Sequence, residues 1–131
     1  MPEAVSLSSQ RIELQDDDPV ELLYARGVTD GLPVVPPTEE RVKRMLAATD
    51  RDPQELLGTI GPNYGRATVE KIAINAVMAG CHQSYFPVVF AGIEAMCEER
   101  FCIHGLNVTT FSATPMAIIN GPVRQEIGVN C

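Results

Sequence analysis

The stretch TVEKIAINAVMAGCHQ, residues 68–83, holds the side chains best suited to chemistry. Lys71, Asn75, Met78 and His82 are spaced by four, three and four residues, one face of a helix if that helix runs on through Gly80 and Cys81. Three polar side chains on one stripe of an apolar helix are costly unless they find partners, so the stripe points to a cleft. In the chemical reading Cys81 is a nucleophile or ligand, His82 its base or proton donor, Asn75 a polar anchor, and Lys71 a substrate contact. In the plainer reading Asn75 bonds a neighbouring loop, Lys71 snorkels to solvent, and Cys81 packs as a small apolar residue.

Other candidates lie elsewhere. Cys81 and His82, together with Cys102 and His104, supply soft metal ligands, but no pair has the C-x2-C or H-x3-H spacing of a zinc site. Cys97 falls at a core position of its helix. The proline-stiffened loop TDGLPVVPP carries Asp30, which either presents a carboxylate to a ligand or turns a rigid connector. Arg124 either clamps a substrate carboxylate or sits on a solvated helix. Cys131 follows Asn130, and a thiol next to a terminal carboxylate is a candidate nucleophile or chelator, against the plain reading of a tail cysteine. No phosphate loop, dinucleotide fingerprint or Ser-His-Asp signature occurs, and no cofactor can be named.

Several elements must position these groups. Residues 1–17 read as a polar, acidic arm, loose or at a sheet edge, and 18–131 as a single α/β domain, completed by a partner chain. PVELLYARG (19–27) reads as a short helix led by Pro19 and closed by Gly27. Thr38 caps a second helix with Val42, Met45 and Leu46 on one face. DPQELLG (52–58) reads as a helical turn and IGPNYGRA as a loop. Thr68 caps the strongest helix, in which Val69, Ile72, Ala73, Ala76, Val77 and Gly80 form one apolar face, widened by Ile74 and Met78, so it is buried. FPVVFAGIEAMCEER reads as another helix with Pro87 in its first turn. NVTTF and MAIIN read as two strands, the second central because it is apolar throughout. The expected fold is thus α/β, a helix-rich first part leading into a sheet that has only begun, to be completed by another chain or segment, since two short strands alone are marginal.

Charge narrows the function classes. The chain of 131 residues carries 17 acidic and 10 basic side chains, a net −7, and its cations are scattered. That argues against a nucleic-acid surface, which needs clustered Lys and Arg. No run reaches the roughly 20 apolar residues of a membrane span. The first residues show no basic start and no apolar signal core, so a cytoplasmic protein with reduced thiols is expected.

At DGLPVVPPT, EKIAINAVMAGC and INGPVRQEIGVN the sequence resembles a bacterial family associated with UGSC-type (seleno)proteins. Their Cys/Sec-Gly-Ser-Cys motif is similar to the selenoprotein component of glycine and betaine reductases. The resemblance covers roughly residues 27–131 and implies thiol-linked reductive or lyase-type chemistry on a small molecule, carried out by a hetero-oligomer in which this chain is a subunit or N-terminal segment. The family continues past the third motif and often has Ser at the position of Cys131, so a hydroxyl-or-thiol role is what carries over there. Two other classes stand beside this expectation: a non-catalytic scaffold subunit, and a metal-binding accessory protein using Cys81, His82, Cys102 and His104.

Overall fold

Thr38 closes an extended segment, and its hydroxyl accepts the Arg41 amide at 3.4 Å, which opens helix α2, Glu39–Leu46. In the computed structural model, which describes residues 5–13 and 18–129, this is the second of six helices. Helix α1, Pro19–Ala25, precedes it and starts where the Asp18 carboxylate accepts the Val20 amide at 2.8 Å. Val42, Met45 and Leu46 make the buried face of α2, as their spacing requires.

That face meets helix α3, Val69–Met78, through Ile72, Ala73, Ala76 and Val77. Helix α4, Phe86–Cys97, closes the core from the other side with Phe86 and Phe90, whose rings pack 5.9 Å apart. Each large apolar side chain so buried stabilises the fold by roughly 1.5–3 kcal/mol. Leu7, Val35 and Leu57 pack around the edge of this cluster.

The strands differ from expectation. The sheet is a two-stranded antiparallel hairpin in mid-chain, β1 Leu56–Ile60 and β2 Gly65–Thr68, with Leu56 opposite Thr68 and Ile60 opposite Gly65. The register slips between Leu56 and Gly58, which leaves Leu57 to turn into the core. The helical turn expected over 52–58 is realised only as a single turn. Asp52 accepts the Gln54 amide at 2.7 Å and the Glu55 amide at 2.9 Å, and the chain then enters β1. The loop IGPNYGRA is the hairpin's turn and return strand. Beyond it, the amides of Val69 and Glu70 donate to Glu55 and Pro53 carbonyls, so the first unpaired donors of α3 are satisfied by the turn that leads into β1.

NVTTF and MAIIN are not strands. Asn107 and Val108 end a short helix α5, Ile103–Val108, and residues 109–120 have no regular secondary structure. The reason is physical: a strand needs a neighbour for its backbone hydrogen bonds, and none lies beside this stretch among the described residues. Between 112 and 120 the one backbone bond among the described residues is from the Ala113 amide to Phe111. The α/β mix is therefore present with an open sheet, and the sheet lies ahead of α3 and not after α4. A last short helix, α6, spans Pro122–Glu126.

Residues 7–11 of the N-terminal arm are held against α3 and α2. Glu70 is 1 % exposed and accepts the Ser8 amide at 3.0 Å, the Ser9 amide at 2.8 Å and the Gln54 side-chain amide at 2.6 Å. Burial pushes this carboxyl up, but the Ser8 and Ser9 amides and Gln54 outweigh it and hold the pKa at about 2. Arg11 adds an exposed ion pair with Glu39 at 2.6 Å.

Candidate functional site

Helix α3 ends at Met78 and does not run through Cys81. Gly80 takes φ +76°, its amide donates to Val77, and the Cys81 amide donates to Ala76 at 2.9 Å, a Schellman closure. The four-residue step from Met78 to His82 is therefore not a helical one. His82 instead precedes a 3-10 turn, Gln83–Tyr85, and its Nδ1 accepts the Ser84 amide at 3.3 Å. No hydrogen bond joins Cys81 to His82 among the described residues, so the proposed thiol–imidazole pair is not formed.

The rest of the stripe does converge. An open cleft of about 540 Å³ lies between the hairpin, α3 and α4, and Lys71, Asn75 and Cys81 line it. Its apolar wall comes from Ile60, Ile72, Ala76, Val89 and Ile93. Arg66, on β2 opposite Thr59, lines it too and was not singled out from sequence, because GRAT reads as loop until the hairpin is known. Asn75 Nδ2 donates to the Lys71 carbonyl at 2.8 Å, which fixes the amide and leaves Oδ1 as an acceptor. Neither Arg66 nor Lys71 makes an ion pair among the described residues, and both are exposed.

Cys81 also lines a second, smaller cavity with His82, Arg41 and Arg44. The half-buried thiol thus stands on the partition between the two. Four of the chain's 10 basic residues line these cavities, and among the described residues no acidic side chain does. Arg44 is paired with Glu40, so Arg41, Arg66 and Lys71 are the lining cations without a carboxylate partner among the described residues.

The other candidates fall outside. The Asp30 carboxylate accepts the Leu32 amide at 3.4 Å and Thr29 donates to the Leu32 carbonyl at 2.6 Å, so Asp30 shapes an exposed turn and lines neither cavity. Arg124 is exposed on α6 and lines neither cavity. Cys102 and His104 lie on the far side of α4 in sequence. His104 stacks on Tyr64 at 5.9 Å, and a Cβ at Gly61 would sit 2.6 Å from its Nδ1, so its ring serves to dock α5 on the hairpin turn. Asn107 reinforces that contact by donating to the Gly61 carbonyl at 2.7 Å. Among the described residues no three His, Cys, Asp or Glu side chains gather as a metal-ligand set, and the four soft-ligand candidates do not form one. Burial, then the Glu94 carboxylate, raise the pKa of Cys97, which suits packing against Gly58 and not nucleophilic attack. The expectation for Cys131 lies outside the described residues.

No family model, curated protein or solved structure matches this chain. Among the described residues no helix is long and apolar enough to cross a membrane.

Proposed function

We propose that the chain is a component of a heteromeric enzyme that acts on a small anionic molecule through the Cys81 thiol. The observation that carries this is the cleft in which Arg66, Lys71, Asn75 and Cys81 meet with no carboxylate among them. Arg66 and Lys71 hold the anionic group, Asn75 offers an acceptor, and Cys81 as thiolate attacks an electrophilic carbon or sulfur. In a lyase-type reaction the attack expels the leaving group and forms a C–S bond, and loss of the neighbouring proton then expels the Cys81 thiolate and leaves a double bond in the product. A reductive one needs a second thiol, from this chain or the partner, so that the two sulfurs leave as a disulfide while the substrate gains two electrons and two protons. The resemblance at EKIAINAVMAGC implies the same thiol-linked class.

A partner chain belongs to this reading. Phe111, Met116 and Ile118 are 82 %, 81 % and 75 % exposed on a stretch whose backbone is largely unpaired, which fits a segment that pairs with a second protein. The same stretch supports the rival reading of a scaffold subunit. One experiment separates them: Cys81→Ala in the natively purified assembly. Turnover lost with the assembly intact supports catalysis. Turnover kept with the assembly intact excludes the thiol, and loss of the assembly supports the scaffold.

A further inference from the structure

The smaller cavity lies between α2 and the turn that leaves α3, and has a volume of about 220 Å³. Its floor is apolar: Met45 and Val77 are core residues, and Val35 is tied over them by a 3.0 Å bond from its amide to the Met78 carbonyl. Its rim is made of donors. Arg41 spends Nη1 on the Pro36 carbonyl at 2.9 Å and has no carboxylate partner among the described residues, so Nη2 and Nε remain. Arg44 spends Nη2 on Glu40 at 2.5 Å, and its other nitrogens remain. His82 turns Nδ1 to Ser84, 2.9 Å from its hydroxyl and 3.3 Å from its amide, so Nε2 is the ring nitrogen without a partner among the described residues.

We propose that this cavity binds a small organic carboxylate, its apolar body on Val35, Met45 and Val77 and its carboxylate at Arg41, Arg44 and His82. Size and polarity select the class. Typical ligand pockets run from roughly 300 Å³ upward, so this one takes a compact molecule. An inorganic oxyanion would satisfy the rim but leave the apolar floor without contact, and a neutral body would fill the floor but leave the Arg41 guanidinium without a counter-charge. The inference stands apart from the thiol reading, because binding here needs no reaction at Cys81.

Benzoate, benzamide and inorganic phosphate are the probes, titrated into the full chain and followed by amide ¹H–¹⁵N spectra. Benzoate is expected to saturate shifts at Val35, Gly80 and Gln83, with benzamide and phosphate at least tenfold weaker. Arg41→Gln with Arg44→Gln is expected to weaken benzoate at least tenfold while the remaining spectrum is retained, and Lys71→Gln, in the other cleft, to leave it unchanged. Benzamide or phosphate binding as tightly as benzoate to the unaltered protein overturns the proposal. So do shifts confined to the Lys71–Asn75 cleft, and affinity that survives the double substitution.

Discussion

Cys81 and Glu70 sit on or beside the same helix and face opposite demands. Cys81 stands where α3 lets go, held by its amide to Ala76 and flanked by cations. Glu70 is sealed in, and a buried carboxylate survives there because two backbone amides and an amide side chain point at it. Its pKa falls from 4.5 unfolded to about 2 folded. A depressed folded pKa contributes stability that is present above pH 4.5 and lost as pH falls towards 2. The full difference is about 3 kcal/mol at most. Glu70→Gln is therefore expected to lower stability at neutral pH by a comparable amount and to flatten the acid limb of stability against pH. Urea midpoints at several pH values read both effects, and a variant that keeps the native acid limb would contradict this role.

At the scale of elements, the helices were legible because periodicity and caps agree. Thr38 and Thr68 cap as their types predict, and the apolar spacing of α2 and α3 names their core residues, whereas α4 buries Phe86 and Phe90 and leaves Val89, Ile93, Met96 and Cys97, the face read from its spacing, only partly covered. The hairpin was not legible, because DPQE carries helix-start chemistry that is spent on one turn, and LLGTI has no alternation to mark a strand. Arg66 was lost with it. The helical stripe was half right: Lys71 and Asn75 keep their places, but Gly80 ends α3 and carries His82 into the neighbouring cavity. Reading NVTTF and MAIIN as strands relied on β-propensity alone, which forms nothing without a paired neighbour. The hairpin depends on small residues where other elements press on it. A Cβ at Gly58 would meet Cys97 Cβ and Sγ at 3.0 Å. Gly58→Ala is expected to cost about 1–3 kcal/mol by overpacking, measured by thermal unfolding, and Cys97→Ala in the same chain should return only the part due to Sγ, because the Cβ contact stays.

At the scale of the whole molecule, two features face outward, the cationic cleft and the exposed apolar side chains Val108, Phe111, Met116 and Ile118, and the proposed function gives the first to a substrate and the second to a partner chain. Met116→Asp with Ile118→Asp tests the second. Both side chains are exposed, so stability is expected to stay within about 0.5 kcal/mol. Sedimentation of the native assembly is expected to show dissociation, and an assembly of unchanged size would remove this stretch from the interface. For the cleft, the chemistry of the thiol can be read without knowing the substrate. Iodoacetate and iodoacetamide alkylate the same sulfur, and one of them is an anion. Their rate ratio, measured by peptide mapping at each cysteine, cancels the intrinsic reactivity of the thiol. Cys102 is exposed and lines neither cavity, so it serves as the reference. If Cys81 stands in an anion-receiving cleft, its ratio exceeds that of Cys102 by about tenfold at low salt. In the Arg66→Gln, Lys71→Gln chain it falls towards the reference. A ratio at Cys81 equal to or below that at Cys102 would contradict the proposed function at its centre.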